Sequence, residues 1–395
     1  MKKPIVSVVL LATLFSLSAA QSEPRARGLG IPFDGAPGPL NAITDVAGVE
    51  VGYTTLISGQ GKLVVGKGPV RTGVTAVLPR GKKSVNDAVF AGWYSLNGNG
   101  EMTGTTWVEE SGFLEGPIMI TNTHSVGVVR DATIKWRYEH GAADASGYWW
   151  SLPVVAETWD GELNDVNGFH VKPEDTAHAL DTASSGPVVE GNVGGGTGMI
   201  CNGFKGGTGT SSRVLPKQEG GYTVGVLVQC NYGVQQQLRI AGIPVGRELP
   251  PGIPHKADTG SIIVVVATDA PLISSQLKRL ARRVPLGLGR LGSYSGDGSG
   301  DIFIAFSTAN PGAWGGSSVK HIEMVPNDDM SPIFIATVQA VEEAVVNAMI
   351  AAKTMKGIND FEVRAIPHAE LQQVLRKYNR LAETGKQETG KQGSR

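Results

Sequence analysis

A layered α/β fold is predicted by three observations. Several strand-length runs, among them SIIVVVAT at 261–268 and DIFIAFS at 301–307, are almost unbroken in Val, Ile and Phe. Runs without the alternation of a half-exposed strand belong to strands covered on both faces. Helical periodicity is clearest late in the chain, and the order strand, helix, strand, helix argues for intermixed layers. No Pro- or Ser-rich linker divides the 395 residues, so one continuous body is expected.

Along the chain, a Gly- and Pro-punctuated segment leads to a first short strand at 46–51. Further strands are expected at 74–78, 117–121, 223–228, 261–268, 301–307 and 333–335. Ser274 and Ser275 can cap a helix with Leu277, Leu280, Ala281 and Val284 on one face and Lys278, Arg279 and Arg282 on the other. A second helix, over 337–356, is rich in Ala, Val and Glu and should stop at Gly357. A third follows Pro367, with Leu371, Val374, Leu375, Tyr378 and Leu381 in one stripe. Residues 382–395, ending in a small polar repeat, should be a disordered tail.

The composition is 41% apolar and 18% charged, with 54 glycines that call for many turns and close backbone approaches. A net charge of −1 argues against a nucleic-acid partner, which selects for a basic stripe. Residues 1–20, MKKPIVSVVLLATLFSLSAA, carry two lysines, an apolar stretch too short for a membrane span and a small-residue end. That is the pattern of a secretory signal cut before Gln21, so export to the periplasm or the medium is expected, with no membrane attachment afterwards.

Cys201 and Cys230 could pair in an oxidising compartment, but a core of this size does not need a staple, and free thiols are the expectation. Seven scattered histidines with no HExxH, and two cysteines with no CxxC, give no metal site. The glycine spacing at 61–68 resembles a phosphate loop without its Ser or Thr and reads as a hairpin. GNVGGGTG at 191–198 fails the dinucleotide pattern. No cofactor is therefore implied. His124, in TNTHSVG, reads as a structural histidine.

One junction stands apart. Gly260-Ser261 ends a polar stretch from 247 with prolines at 250, 251 and 254, and opens the most apolar strand. A hydroxyl needs a base to become a nucleophile, and a freed α-amine, with a pKa of about 7.7–8.0, can be that base. Glycine at 260 would tolerate the backbone strain of an attack on its own carbonyl. By residue type alone an ordinary turn is the stronger reading, and the latent nucleophile is the sharper one.

The neighbouring motifs shift that balance. NAITDVAGVEVGY at 41–53, TNTHSVG at 121–127, LPVVAETWDG at 152–161, EGNVGGGTGM at 190–199, FKGGTGTSSR at 204–213, GSIIVVVATDAPL at 260–272 and GDGSGDIFIAFSTAN at 296–310 together resemble the L-aminopeptidase/D-esterase family, which includes the β-peptidyl aminopeptidases. The resemblance implies a four-layer αββα sandwich similar to N-terminal-nucleophile hydrolases but with different connectivity. It implies a precursor that cuts itself between Gly260 and Ser261, leaving an α chain of 21–260 and a β chain whose body is 261–381. These would stay together as a heterodimer and assemble into a tetramer of heterodimers.

Site roles follow from the same resemblance. Ser261 would be the nucleophile that forms an acyl-enzyme, and Asn231 the side-chain donor to the oxyanion. Ser299 and Asp301 would support the nucleophile through hydrogen bonds, although some relatives carry Glu at the latter place. Glu157 would hold the free amino group of a small peptide or amide substrate, and Trp159 stands where some relatives have Tyr, a change that points toward β-amino substrates. Read without the resemblance, these residues are surface charges, packing aromatics and turn formers. Two other functions stay in view: acyl transfer of the ornithine acetyltransferase type, whose nucleophile is threonine, and a non-catalytic exported binding protein.

Overall fold

The computed structural model describes residues 24–253 and 260–382. The expected signal at 1–20 and the tail from 383 onward lie outside the described residues.

Ten strands form two main sheets: β1 (Glu50–Ser58), β2 (Val70–Leu78), β3 (Val89–Ser95), β4 (Phe113–Leu114), β5 (Ile118–Asn122), β6 (Val154–Thr158), β7 (Gly207–Val214), β8 (Thr223–Asn231), β9 (Ser261–Thr268) and β10 (Asp301–Ser307). The first sheet has the order β1-β2-β5-β6 and the second β4-β3-β10-β9-β8-β7. Pairing is antiparallel except for β5 with β6 and β9 with β10, which are parallel. Among the described residues seven α-helices accompany them: α1 (Thr105–Ser111), α2 (Val126–Arg137), α3 (Pro173–Asp181), α4 (Ser274–Ala281), α5 (Val284–Arg290), α6 (Ser331–Ala351) and α7 (His368–Lys377).

Three apolar clusters define four layers. Between the sheets, Val77, Ile118, Ile120 and Ala156 of one face Leu227, Ile263, Val265 and Ile304 of the other. Outside the first sheet, Val74, Ala76 and Val155 pack on Val129 and Trp136 of α2 and Leu180 of α3. Outside the second, Val226, Val264 and Phe303 pack on Leu277 and Leu280 of α4 and Val341 and Val345 of α6. Both faces of β9 are therefore covered, which is why its sequence is a continuous apolar run. The αββα order expected from the resemblance is the observed one.

Several expectations need correction. Residues 333–335, read as a strand, lie in the first turns of α6, whose burial on one side recruits the same apolar residues a strand would use. That helix stops at Ala351 rather than at 356, because Ala352 turns extended and Met355–Lys356 pairs with Glu362–Val363. Gly357 does not cap α6 but precedes a 3-10 turn at Ile358–Asp360; a Cβ there would lie 2.3 Å from the Leu163 carbonyl oxygen. The serine cap at α4 is not made; Gln276 Oε1 accepts from Ile273 N–H instead, and Val284 opens the next helix. Cys201 and Cys230 are joined in a disulfide with Cα atoms 5.5 Å apart. The segment with residues 327–351 is long and apolar enough to cross a membrane, yet 78% of its most apolar window is buried within the fold, where α6 packs on the larger sheet.

Candidate active site

The site is assembled at one end of β8, β9 and β10. Antiparallel register places Asn231, the last residue of β8, opposite Ser261, the first of β9. Parallel register places Asp301 beside Ile262. Three of the expected site residues are thus brought together by strand ends alone. Ser261 is buried, and Gly300 N–H donates to its Oγ at 3.0 Å. Ser299 donates its hydroxyl to Asp301 Oδ1 at 2.6 Å, with both residues fully buried. Asn97 Oδ1 accepts from Asp301 N–H at 2.8 Å, and the Ser299 carbonyl accepts from Asn99 N–H. The Ser299–Asp301 pair thus helps to fix the turn that carries Gly300, whose N–H meets Ser261 Oγ.

Asn231 is oriented from both sides. Its Oδ1 accepts from Ile200 N–H at 2.7 Å, and its Nδ2 donates to the Trp159 carbonyl at 2.8 Å. A backbone N–H can only donate and a carbonyl can only accept, so the amide orientation follows from these partners.

Glu157 reaches the same place from the other sheet. It lies on β6 opposite Thr121 of β5, is 3% exposed, and accepts from Glu101 N–H at 3.0 Å and from the Thr123 hydroxyl. Burial pushes its carboxyl above the usual carboxylate range, while the Thr123 and Glu101 hydrogen bonds and nearby His124 pull in the opposite direction. Ser261, Glu157, Thr123, Gly100, Gly298 and Trp159 line one cavity of about 400 Å³. A Cβ on Gly100 would sit 3.0 Å from Gly300 Cα, and one on Gly300 would sit 2.4 Å from the Asn99 carbonyl oxygen; glycine at both lets the segments meet over the site.

Trp159 separates this cavity from a second of about 570 Å³ lined by Asn231, Gly260, Gln235 and Arg247, and contributes to both. Its ring meets His124 edge-on at 6.1 Å, and His124 stacks on Phe169 at 6.0 Å. His124 is exposed at this aromatic rim, and its backbone N–H donates to Asn122 Oδ1 at 3.0 Å.

A Cβ on Gly260 would fall 1.9 Å from the Asn231 carbonyl oxygen. Close approach to β8 excludes any side chain there.

A sequence profile of peptidase family S58 matches residues 41–363. The chain belongs to peptidase family S58. Among S58 relatives, the β-peptidyl aminopeptidases BapA of Sphingosinicella microcystinivorans and Sphingosinicella xenopeptidilytica are 57% and 47% identical to it, over 94% and 93% of this chain and 97% and 95% of theirs. The solved L-aminopeptidase D-Ala-esterase/amidase of Ochrobactrum anthropi, a prototype of the serine aminopeptidases with a variant of the N-terminal-nucleophile hydrolase fold, superimposes with a TM-score of 0.85 at 51% identity. It covers 91% of this chain and all of that one. A Burkholderia sp. β-aminopeptidase gives 0.82 at 47%, covering 90% and 99%. This S58 protein is a serine aminopeptidase.

The expected site residues are contacted by groups that sequence reasoning passed over: Gly300, Thr123, Glu101 N–H and Ile200 N–H. The last three act through backbone or through a hydroxyl two residues into a motif in which only the histidine drew attention. Lys205 was likewise missed. It is fully buried, donates from Nζ to the Met199 and Gly206 carbonyls at 2.8 Å each, and burial pushes its pKa down from 10.5 to about 7. Between those values the folded chain holds one proton fewer here than the unfolded chain, so this group makes stability rise with pH across that window. Lys205→Met is expected to flatten that rise in thermal melts taken from pH 7 to 10.

Proposed function

We propose that this S58 enzyme is made as an exported precursor, cuts itself between Gly260 and Ser261, and then releases N-terminal β-amino, D-amino or small L-amino acids from short peptides, amides and esters. The observation that carries the reading is the buried Glu157 carboxylate in the same cavity as Ser261. A substrate ammonium paired with Glu157 puts the carbonyl of the terminal residue near Ser261, and an internal peptide has no such ammonium.

In the precursor, Ser261 Oγ adds to the Gly260 carbonyl, the peptide nitrogen leaves with the hydroxyl proton, and water hydrolyses the resulting ester. That frees the Ser261 α-amine. With substrate, Oγ adds to the terminal carbonyl, its proton passes by way of a base to the leaving amine, and water regenerates the serine from the acyl-enzyme. The freed α-amine, whose ordinary pKa is about 7.7–8.0, is suited to be that base. Asn231 Nδ2 donates to the oxyanion, a contribution of about 2.7–4 kcal/mol for one such donor. The two chains remain a heterodimer and assemble as a tetramer of heterodimers in the periplasm or the medium.

The names of the β-peptide-cleaving relatives favour β-amino substrates, and the wide cavity leaves room for the additional methylene. A panel of β-alanyl, D-alanyl and L-alanyl amides, each also N-acetylated, tests the reading. Turnover is expected with free amines and not with their acetylated forms; equal hydrolysis of both would overturn it. A second expectation concerns maturation. Gly260→Ala forces residue 260 away from the Asn231 carbonyl, and self-cleavage followed by electrophoresis should slow by at least about tenfold, the effect of misplacing a reacting group by an ångström or less.

A further inference from the structure

A tight turn at residues 199–206 lies against the end of β8, and three consecutive residues of it engage three consecutive residues around Asn231. Ile200 N–H donates to Asn231 Oδ1 at 2.7 Å. Cys201 is disulfide-bonded to Cys230. Asn202 N–H donates to the Tyr232 carbonyl at 2.7 Å. The turn is closed at its base, where Gly206 N–H donates to the Met199 carbonyl at 2.9 Å and Lys205 Nζ bridges the Met199 and Gly206 carbonyls. Its far side is tied down as well, since the Arg364 carbonyl accepts from Lys205 N–H at 2.7 Å. Cys201, Cys230 and Lys205 are all fully buried.

An asparagine amide presents chemically opposite atoms at its two ends. If it turned over, Oδ1 would face the Trp159 carbonyl and Nδ2 would face Ile200 N–H, two like-with-like contacts in a buried place. It stays as observed only while Ile200 N–H is held still. Among the described residues, the covalent link from this turn to β8 is the cystine one residue on.

We propose that the 199–206 turn, locked by the Cys201–Cys230 disulfide, is a positioning device that keeps the Asn231 amide nitrogen aimed at the oxyanion. The cystine thereby acts on the acyl-transfer step as well as on stability. Ile200, Cys201, Cys230 and Lys205 are positioning residues; none touches substrate. The inference rests on the reading of Asn231 as the oxyanion donor.

The test is a double-mutant cycle on kcat and KM for a β-alanyl amide, counted per cleaved chain. It compares the parent enzyme, Cys201→Ala with Cys230→Ala, Asn231→Ala, and the triple variant. Loss of the cystine is expected to lower kcat by about tenfold, part of the 10²–10³ that removal of an oxyanion donor costs, with KM unchanged within about twofold. In the Asn231→Ala background it should cost nothing further. Lys205→Met opens the same turn with the disulfide intact and should show the same kcat-selective loss, including where the cystine-free chain fails to accumulate. An unchanged kcat in both the cystine-free and Lys205→Met enzymes, or an equal loss in the Asn231→Ala background, overturns the clamp. A parental kcat for Asn231→Ala alone overturns instead the oxyanion reading on which the clamp depends.

Discussion

Ser261→Ala is expected to yield a single uncut chain with no measurable amide turnover. The alanine keeps the strand entry and the apolar core of β9, so the fold should persist, with a melting temperature close to that of the parent precursor. What it removes is the atom that, in the proposed function, attacks twice, once on Gly260 and once on substrate. Loss of a nucleophile from a preorganised site costs about 10⁶ in kcat, and what survives comes from binding and the oxyanion donors alone. Denaturing electrophoresis with N-terminal sequencing reads the first event. Parent enzyme should give a second chain beginning Ser-Ile-Ile-Val, and the variant none. A parent enzyme that is active as one intact chain would overturn the self-cleavage reading, whatever the variant does.

Glu157→Gln carries the second large effect, and it should fall on binding of the free amine. The amide preserves the shape, with its oxygen accepting from Glu101 N–H and its nitrogen donating to the Thr123 hydroxyl, but it carries no charge for the substrate ammonium. Removing one partner of a buried charge pair costs about 2–5 kcal/mol, so kcat/KM should fall by between about thirtyfold and several thousandfold. The effect has a pH signature. Only the ionised carboxylate holds an ammonium, and burial raises the Glu157 pKa above its ordinary 4.5. The acid limb of kcat/KM should therefore lie above that value, with activity lost as pH falls through it. Bound substrate brings a positive charge that stabilises the carboxylate, so the limb in kcat should lie lower than the limb in kcat/KM. The glutamine variant should lose the Glu157 contribution to both limbs and keep the one set by the α-amine base, and a pH–rate series on the two enzymes checks this.

How far the sequence discloses this arrangement depends on what each residue contributes. Strands β9 and β10 were legible to their end residues because both faces are buried and the apolar run is as long as the strand. β7, with the sequence GTGTSSRV, was not legible, although most of it is equally buried. Its hydroxyls satisfy themselves on neighbouring backbone, Thr210 on the Val226 carbonyl and Ser211 on the Ala340 carbonyl of α6. Gly209 lets that helix come so close that a Cβ would lie 2.1 Å from the Ala344 carbonyl oxygen. A strand buried by hydrogen bonds and missing side chains leaves no hydrophobic pattern to read. The site divides the same way. Ser261, Asn231, Ser299, Asp301, Glu157 and Trp159 were found through family motifs. The groups that aim them, such as Gly300 N–H and Ile200 N–H, are backbone atoms that no residue type announces. The cystine was missed because Cys201 and Cys230 are 29 residues apart and only the folded turn brings them together.

The strand order of the larger sheet has a consequence for the matured molecule. β9 and β10 are its middle pair, and on either side they are bordered by β8 and β3, which precede Ser261 in the chain. A break before Ser261 would not trim a terminus; it would convert one polymer into an interlocked pair, with the newer piece threaded through the centre of the older one. Neither piece could leave without stripping the hydrogen bonds of both neighbouring strands and opening the cores on both faces. Maturation would then work as a ratchet, with the continuous chain acting as the template for an assembly that its separated halves have no direct route to rebuild.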